Sequence, residues 1–412
     1  MNEQKRSSIA PELLIFFIIV AFTGFAMGMT DSVISNYFND AYNVTTFQRG
    51  FLEFPRELPG LLCFLIIAMT STVGDVRLAI VAQVLCIIGA VVLGLFTPPF
   101  AVMSFFIFVN SMGNHLYIPL QDSIGISVIG EEGLGKRMGQ YGAIRTGFTM
   151  LATVIVFFGF RTGFFSFMTQ IKLPFLIGAG GFLCVLALFV LLLTKYKAEG
   201  AKRKDQFQII IRKEYKLYYI LAILVGLHRQ MVIVYGAWLL IRILNQGADN
   251  MALLVIIASF LGIFMLPVVG RWIDRYGPRR ILLAEGGIFI VIYFVFGYMS
   301  WAFENGVLAT VGLPLIIVCG LFVFDRLAMQ MGMARTVYLR SIAVDPADIT
   351  PTLSTGLSMD HVVSITFAFV GGIIWERLGA QYIFYGASVL SILNVVIALM
   401  IKPADKTAPA NR

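Results

Sequence analysis

The chain has 412 residues, of which 58% are hydrophobic and 13% charged, with a mean hydropathy of +0.86; this leaves little room for a soluble globular protein. A formal net charge of +8 would suit a nucleic-acid partner, but the basic residues fall in short segments between apolar runs, where membrane topology explains them better. Cys63, Cys86, Cys184 and Cys319 all lie inside apolar runs, without disulfide-scaffold or zinc spacing, and are expected as buried small hydrophobes.

A helix needs about 20 apolar residues to span a bilayer. In chain order, Lys5 and Arg6 precede Pro11, which opens a first helix over about Glu12 to Phe38; no small-residue cleavage pattern follows it. Helices 2 to 6 are predicted over about 47–70, 78–96, 101–128, 140–167 and 173–194. Pro98 and Pro99 make the turn between helices 3 and 4. Residues 195–216 hold eight Lys or Arg among twenty-two, against Glu199, Asp205 and Glu214, and read as a cytoplasmic basic linker. Helices 7 to 12 follow over about 217–244, 250–269, 281–301, 307–333, 351–375 and 380–401.

The expected fold class is an all-α integral membrane protein with twelve transmembrane helices, six in 1–194 and six in 217–412. The charge bias agrees. Lys136, Arg137, Arg271, Arg275, Arg279, Arg280, Arg340, Lys402 and Lys406 share the linker's side, against Arg49, Lys172 and Arg377 opposite. Both termini are therefore expected in the cytoplasm, and the chain in a bacterial cytoplasmic (inner) membrane. A faint repeat, residues 120–124 against 338–342, accords with two related halves.

Between helices 8 and 9 stand Gly270, Asp274, Arg275, Gly277, Arg279 and Arg280. Glycine, three residues, an acid, a base, one residue, glycine and further bases: this resembles the signature loop of the major facilitator superfamily. The glycines allow a tight turn, and Asp274 can meet a helix N-terminus or neighbouring arginines. The resemblance implies two six-helix pseudo-symmetric bundles, a gating role for this loop, and alternating access about a substrate held between halves that rock. It also implies a central cavity lined by helices 1, 4, 7 and 10. The equivalent loop in the first half departs from the pattern, with Ser71 at the acidic position and Asp75 after Gly74. Asn110 before Gly113, where drug exporters carry arginine, and helix 5's lack of a Gly-Pro pair weigh against a multidrug exporter.

Ionisable side chains in membrane spans are costly unless paired or facing water, so they mark candidate sites. Helix 2 holds Glu53, Arg56 and Glu57 between prolines, with Arg56 placed beside Glu53. Helix 4 aligns Asn114, His115 and Asp122, with Tyr117 nearby, and Asp122 is expected to pair with Arg145 of helix 5. His228 and Arg229 lie on helix 7, Asp325, Arg326 and Gln330 on helix 10, Asp360 and His361 on helix 11, and Asp31 on helix 1. Arg335 lies just beyond helix 10 and could snorkel to the interface.

Substrate candidates are thus Arg56, Asn114, His115, Tyr117, Arg145, His228, Arg229, Asp325, Arg326 and Gln330. Proton-coupling candidates are Asp31, Glu53, Asp122, Asp360 and His361, since carboxylates and imidazoles exchange protons most readily. Structural ion pairs and packed histidines are the competing reading of each. No nucleophile set or phosphate loop argues for an enzyme or for direct ATP coupling, and no cofactor, metal or nucleic acid is expected.

The expected function is proton-coupled carriage of a small organic anion, on the strength of the arginines. The alternatives are a proton-driven antiporter exporting a cationic, zwitterionic or amphipathic compound and, below it, a non-transporting sensor or scaffold. The partners are a small solute, protons and the lipid bilayer, and the carrier is expected as a monomer.

Overall fold

The computed structural model describes residues 11–70, 73–129, 134–195, 211–345 and 348–402. Lys5, Arg6, Ser71, linker residues 196–210 and Lys406 lie outside the described residues. The described chain is all-α, and ten of its helical stretches are long and apolar enough to cross a membrane. They form two compact units, one from the described residues of Met1–Ala41 and Leu62–Gln206, the other from those of Tyr42–Leu61 and Phe207–Arg412.

The first unit contains α1 (Pro11–Asp31), α2 (Ile34–Tyr42) up to Ala41, α5 (Asp75–Leu95), α6 (Phe100–Ile129), α7 (Leu134–Arg161) and α8 (Leu173–Lys195). Between them, α3 (Thr46–Phe51) belongs to the second unit, while α4 (Glu53–Met69) gives its first nine residues to that unit and the rest to the first. The second unit continues with α9 (Lys216–Gln230), α10 (Ala248–Glu304), α11 (Leu313–Ala328), α12 (Met333–Ile342), α13 (Ile349–Leu378) and α14 (Ala380–Met400).

The structure departs from the expected helices at four places. The predicted second helix breaks at Leu52, because the ring of Pro55 collides with the carbonyl four residues earlier, that of Phe51. The predicted first helix likewise stops at Asp31 and restarts at Ile34. The fifth ends at Arg161, and Phe165 folds back so that its N–H meets the Gly159 carbonyl at 2.8 Å. The tenth begins only at Leu313, after Gly312 at φ 74°, and Pro314 sits in its first turn.

The signature segment also differs from the expected loop. Helix runs into it from both sides, interrupted at Gly277, whose φ of 78° and ψ of 158° suit a residue without Cβ. Pro278 then opens the following helical run.

Each unit has its own apolar core. Phe16, Ile19, Val20, Leu116, Leu120 and Phe189 are buried together in the first, and Leu221, Val269, Leu282, Leu339 and Ala398 in the second. Large apolar side chains also cover the outside, among them Phe264 at 62% exposure, Ile316 at 65% and Val389 at 64%. Water would oppose such a surface, and hydrocarbon accepts it. Cys86 is buried in keeping with expectation, but Cys63 and Cys319 are only half-buried and Cys184 is exposed on the apolar outside.

Candidate functional site

In the second unit the charged groups gather where α4, α9 and α13 meet. Arg229 Nη2 lies 2.7 Å from Glu57 Oε2, 3.2 Å from Asp360 Oδ2 and 2.9 Å from Ser364 Oγ. The same Glu57 oxygen is 2.7 Å from His361 Nδ1. One guanidinium therefore serves two buried carboxylates, and a histidine shares one of them. Asp360 Oδ1 is buried with no hydrogen-bond partner. The close approach of α9 to α13 needs Gly226, where a Cβ would lie 2.6 Å from the Asp360 carbonyl oxygen and 2.8 Å from Oδ1. Directly after α9 the helix widens into π-helical turns over Met231–Gly236 and Leu239–Ile243. Such turns recur at functional sites.

Beside this cluster, a cavity of about 200 Å³ is lined by Tyr218, Arg335, Gly356 and Asp360 among others. Arg335, expected near the membrane interface, is instead buried and bound to Glu285 Oε2 at 2.8 Å. Glu285 was no sequence candidate. A single acid inside an apolar helix signals little, because its partner is fifty residues away in sequence.

A second knot lies one to two turns earlier. Glu53 Oε1 is 2.6 Å from Arg49 and 2.5 Å from Arg56, which realises the expected Glu53–Arg56 pair. Arg49, placed from sequence at the end of a span on the side opposite the linker, is fully buried in it, and Lys172, placed on the same side, is 1% exposed. Gly50 lets α3 press on α13, since a Cβ there would stand 2.3 Å from the Ala368 carbonyl oxygen. The Thr45–Gln48 capping box and a bond from the Phe47 N–H to Glu376 fix the start of α3.

Three candidates on this side are held by neighbouring side chains. His228 is buried, its ring tilted 33° to Phe289 at 4.2 Å, with Nε2 3.0 Å from Ser391 Oγ. Asp325 is buried and accepts from the Tyr293 hydroxyl at 3.2 Å. Gln330 packs its amide against Gly262. Arg326 is different: it is half-buried, lies 5.0 Å over the Phe322 ring, and enters no ion pair among the described residues.

In the first unit the expected Asp122–Arg145 pair does not form. The exposed Asp122 accepts from the Tyr141 hydroxyl, one turn before Arg145 on α7. Arg145 reaches Met27 Sδ at 3.8 Å and enters no ion pair among the described residues. It sits against α1, which Gly24 admits so closely that a Cβ would be 2.5 Å from the Arg145 carbonyl oxygen. Tyr117 is buried and bonded to Thr23 at 3.3 Å, Asn114 turns toward Cys86 at 3.4 Å, and His115 Nδ1 contacts the Ser111 carbonyl at 2.9 Å. Asp31 is exposed at the end of α1.

These buried charges on membrane-length helices are accompanied by a family match across most of the chain: the model of the Major Facilitator Superfamily matches residues 16–344. The chain belongs to this superfamily. No curated protein matches it in sequence. Among solved structures, a mutant of the nucleoside transporter NupG is similar with a TM-score of 0.76 at 13% identity, over 95% of this chain and 100% of that one. A POT family transporter in complex with 5-aminolevulinic acid has a TM-score of 0.70 at 13% identity, over 94% and 95% of the two chains. A D-xylose–proton symporter has a TM-score of 0.68 at 14% identity, over 96% and 97%.

The protein is thus a multi-pass membrane transporter of the superfamily, embedded in a lipid bilayer and working by alternating access. Of its signature residues, Gly277 makes the turn, whereas Gly270 lies in continuous helix and not in the tight turn expected of it. Asp274 is exposed and in no ion pair among the described residues, Arg275 lies 5.3 Å over Tyr276, and Arg279 bonds the Leu399 carbonyl at 3.1 Å, with Arg280 exposed beside it.

Proposed function

We propose that this superfamily member is a proton-coupled carrier of a small organic anion. The observation behind it is that each unit holds a half-buried arginine well inside a predicted span, Arg145 or Arg326, outside any ion pair among the described residues, whereas Arg49, Arg56, Arg229 and Arg335 are committed to carboxylates. An uncommitted guanidinium at membrane depth is favourable only if an anion or water meets it, and a carboxylate can do so through two parallel hydrogen bonds. Proton coupling is assigned to Glu57, Arg229, Asp360 and His361. A proton arriving on a carboxylate or on the imidazole changes how Arg229 divides itself, which gives the cluster two charge arrangements. A proton symporter among the similar folds accords with this.

The twelve-helix plan belongs to the same proposal. The 57-residue α10 would extend about 85 Å at ~1.5 Å per residue, nearly three times the ~30 Å of hydrocarbon, and its break at Gly277 divides it into two spans. Adding α4, which has 17 residues, brings ten to twelve. On this plan 1–194 and 217–412 are the six-helix bundles joined by 195–216. The Gly277 turn and both termini face the cytoplasm, and the signature residues gate the transporter there.

Export of a cationic or zwitterionic compound is the second reading, favoured by the exposed Asp122 and Asp31 of the first unit. Thermal stabilisation of the purified protein by organic anions, cations and neutral solutes, at one acidic and one mildly alkaline pH, separates the two. Stabilisation by an anion, stronger at the acidic pH, is the expected result. Stabilisation by cations alone, stronger at the alkaline pH, would replace the proposal with the export reading.

A further inference from the structure

A cavity of about 1180 Å³ in the second unit lies at the Gly277 turn, bordered by the start of α9 and the ends of α12 and α14. Lys213, Lys216, Arg275, Arg279, Arg280 and Lys402 line it, against Glu214 and Asp274. None of the six cations is in an ion pair among the described residues. Arg279 Nε is buried without a hydrogen-bond partner, although its Nη2 is held by the Leu399 carbonyl. The rest of the wall is apolar and partly open, with Tyr276 41% exposed, Val337 40% and Met400 56%.

Those two halves of the lining ask for different things. A cluster of unneutralised cations calls for a phosphate or other strong anion. The exposed apolar wall gains nothing from a small hydrated anion, and the volume far exceeds what one would fill. An amphiphile with an anionic head and hydrocarbon tails satisfies both, and basic cavities between transmembrane helices at a membrane surface are where phospholipid head groups settle. We propose that this cavity binds an anionic phospholipid, with the phosphate among Lys213, Lys216, Arg279, Arg280 and Lys402 and an acyl chain along Tyr276, Val337 and Met400. The site is separate from Arg145, Arg326 and the Glu57 cluster, so it stands whichever solute is carried.

The test uses the purified full chain and no transport substrate, so its failure is distinct from failure of the substrate reading. Binding of phosphatidylglycerol and phosphatidylcholine is measured by native mass spectrometry, and melting is followed in either lipid and in inorganic phosphate. Lys213, Lys216 and Lys402 are all exposed, so Lys213→Gln/Lys216→Gln/Lys402→Gln should fold and melt as the parent without lipid. Each lysine near an anionic head group is worth about fivefold in affinity, so the triple variant should bind phosphatidylglycerol ~100-fold more weakly, with phosphatidylcholine unchanged. The parent should also be stabilised by phosphatidylglycerol and not by inorganic phosphate. Equal affinity of the parent for the two lipids, an undiminished affinity in the triple variant, or equal stabilisation by inorganic phosphate would each overturn the proposal.

Discussion

Glu57 and Arg229 make unequal demands on the fold, and the inequality can be measured. Glu57→Gln keeps the shape of the side chain and removes one charge. Arg229 loses a 2.7 Å charge-assisted bond but keeps Asp360 at 3.2 Å and Ser364 at 2.9 Å. Bonds of this kind contribute about 1.5–3 kcal/mol, so the expected cost is ~2 kcal/mol. Arg229→Gln instead takes the shared cation from two carboxylates, Glu57 at 7% and Asp360 at 5% exposure, leaves Glu57 only its His361 contact, and so leaves an uncompensated buried charge, which costs ~3–5 kcal/mol. The double variant should be less destabilised than the sum of the two, because the second change removes half of what the first left unpaired. Thermal melting of the three variants and the parent, in one detergent at neutral pH, reads the order directly. Glu57→Gln costing as much as Arg229→Gln, or strict additivity of the pair, would refute the idea that one arginine neutralises both carboxylates.

Other consequences follow from the same geometry. Asp360→Asn and His361→Gln should each carry out solute exchange while losing the response of net uptake to a pH gradient, as followed in proteoliposomes; a response equal to the parent's in both would remove them from the coupling path. Glu285→Gln should lower stability by ~3–5 kcal/mol, because Arg335 is left charged and buried, and Glu285→Gln/Arg335→Met should recover much of that in the same melting assay. Gly226→Ala should be destabilised by about 1–3 kcal/mol, since its methyl group meets backbone and carboxylate of Asp360 across the α9–α13 contact. An unchanged melting temperature there would mean that the two helices separate more easily than their spacing indicates.

Hydropathy made the spans legible because the solvent imposes the pattern: apolar residues are needed wherever lipid lies outside, whatever packs within. The ends of the helices were less so. Residues 270–280 are polar and glycine-rich and read as a loop, yet helix continues to Tyr276, and a single positive φ at Gly277 makes the break. Local pairing was legible where both partners lie within one turn, as with Glu53 and Arg56. It failed across helices. Asp122 does face α7, but one turn away from the expected level, so Tyr141 meets it and Arg145 is left uncommitted. The Glu57–Arg229 and Glu285–Arg335 pairs join residues 172 and 50 positions apart, and no spacing rule reaches that far. Arg49 shows the same limit, since a charge counted toward the side opposite the linker proves to be wholly buried against Glu53.

The account stands most directly on the movement of an anion with a proton. Proteoliposomes containing a trapped pH dye would be offered whichever small organic anion stabilises the purified protein, with the parent compared against Arg145→Gln and Arg326→Gln. The account predicts that the anion enters together with protons, acidifying the lumen in the parent, and that both variants melt like the parent but lose uptake and acidification together. Full uptake by both variants, or a solute that drives protons the opposite way, would contradict it.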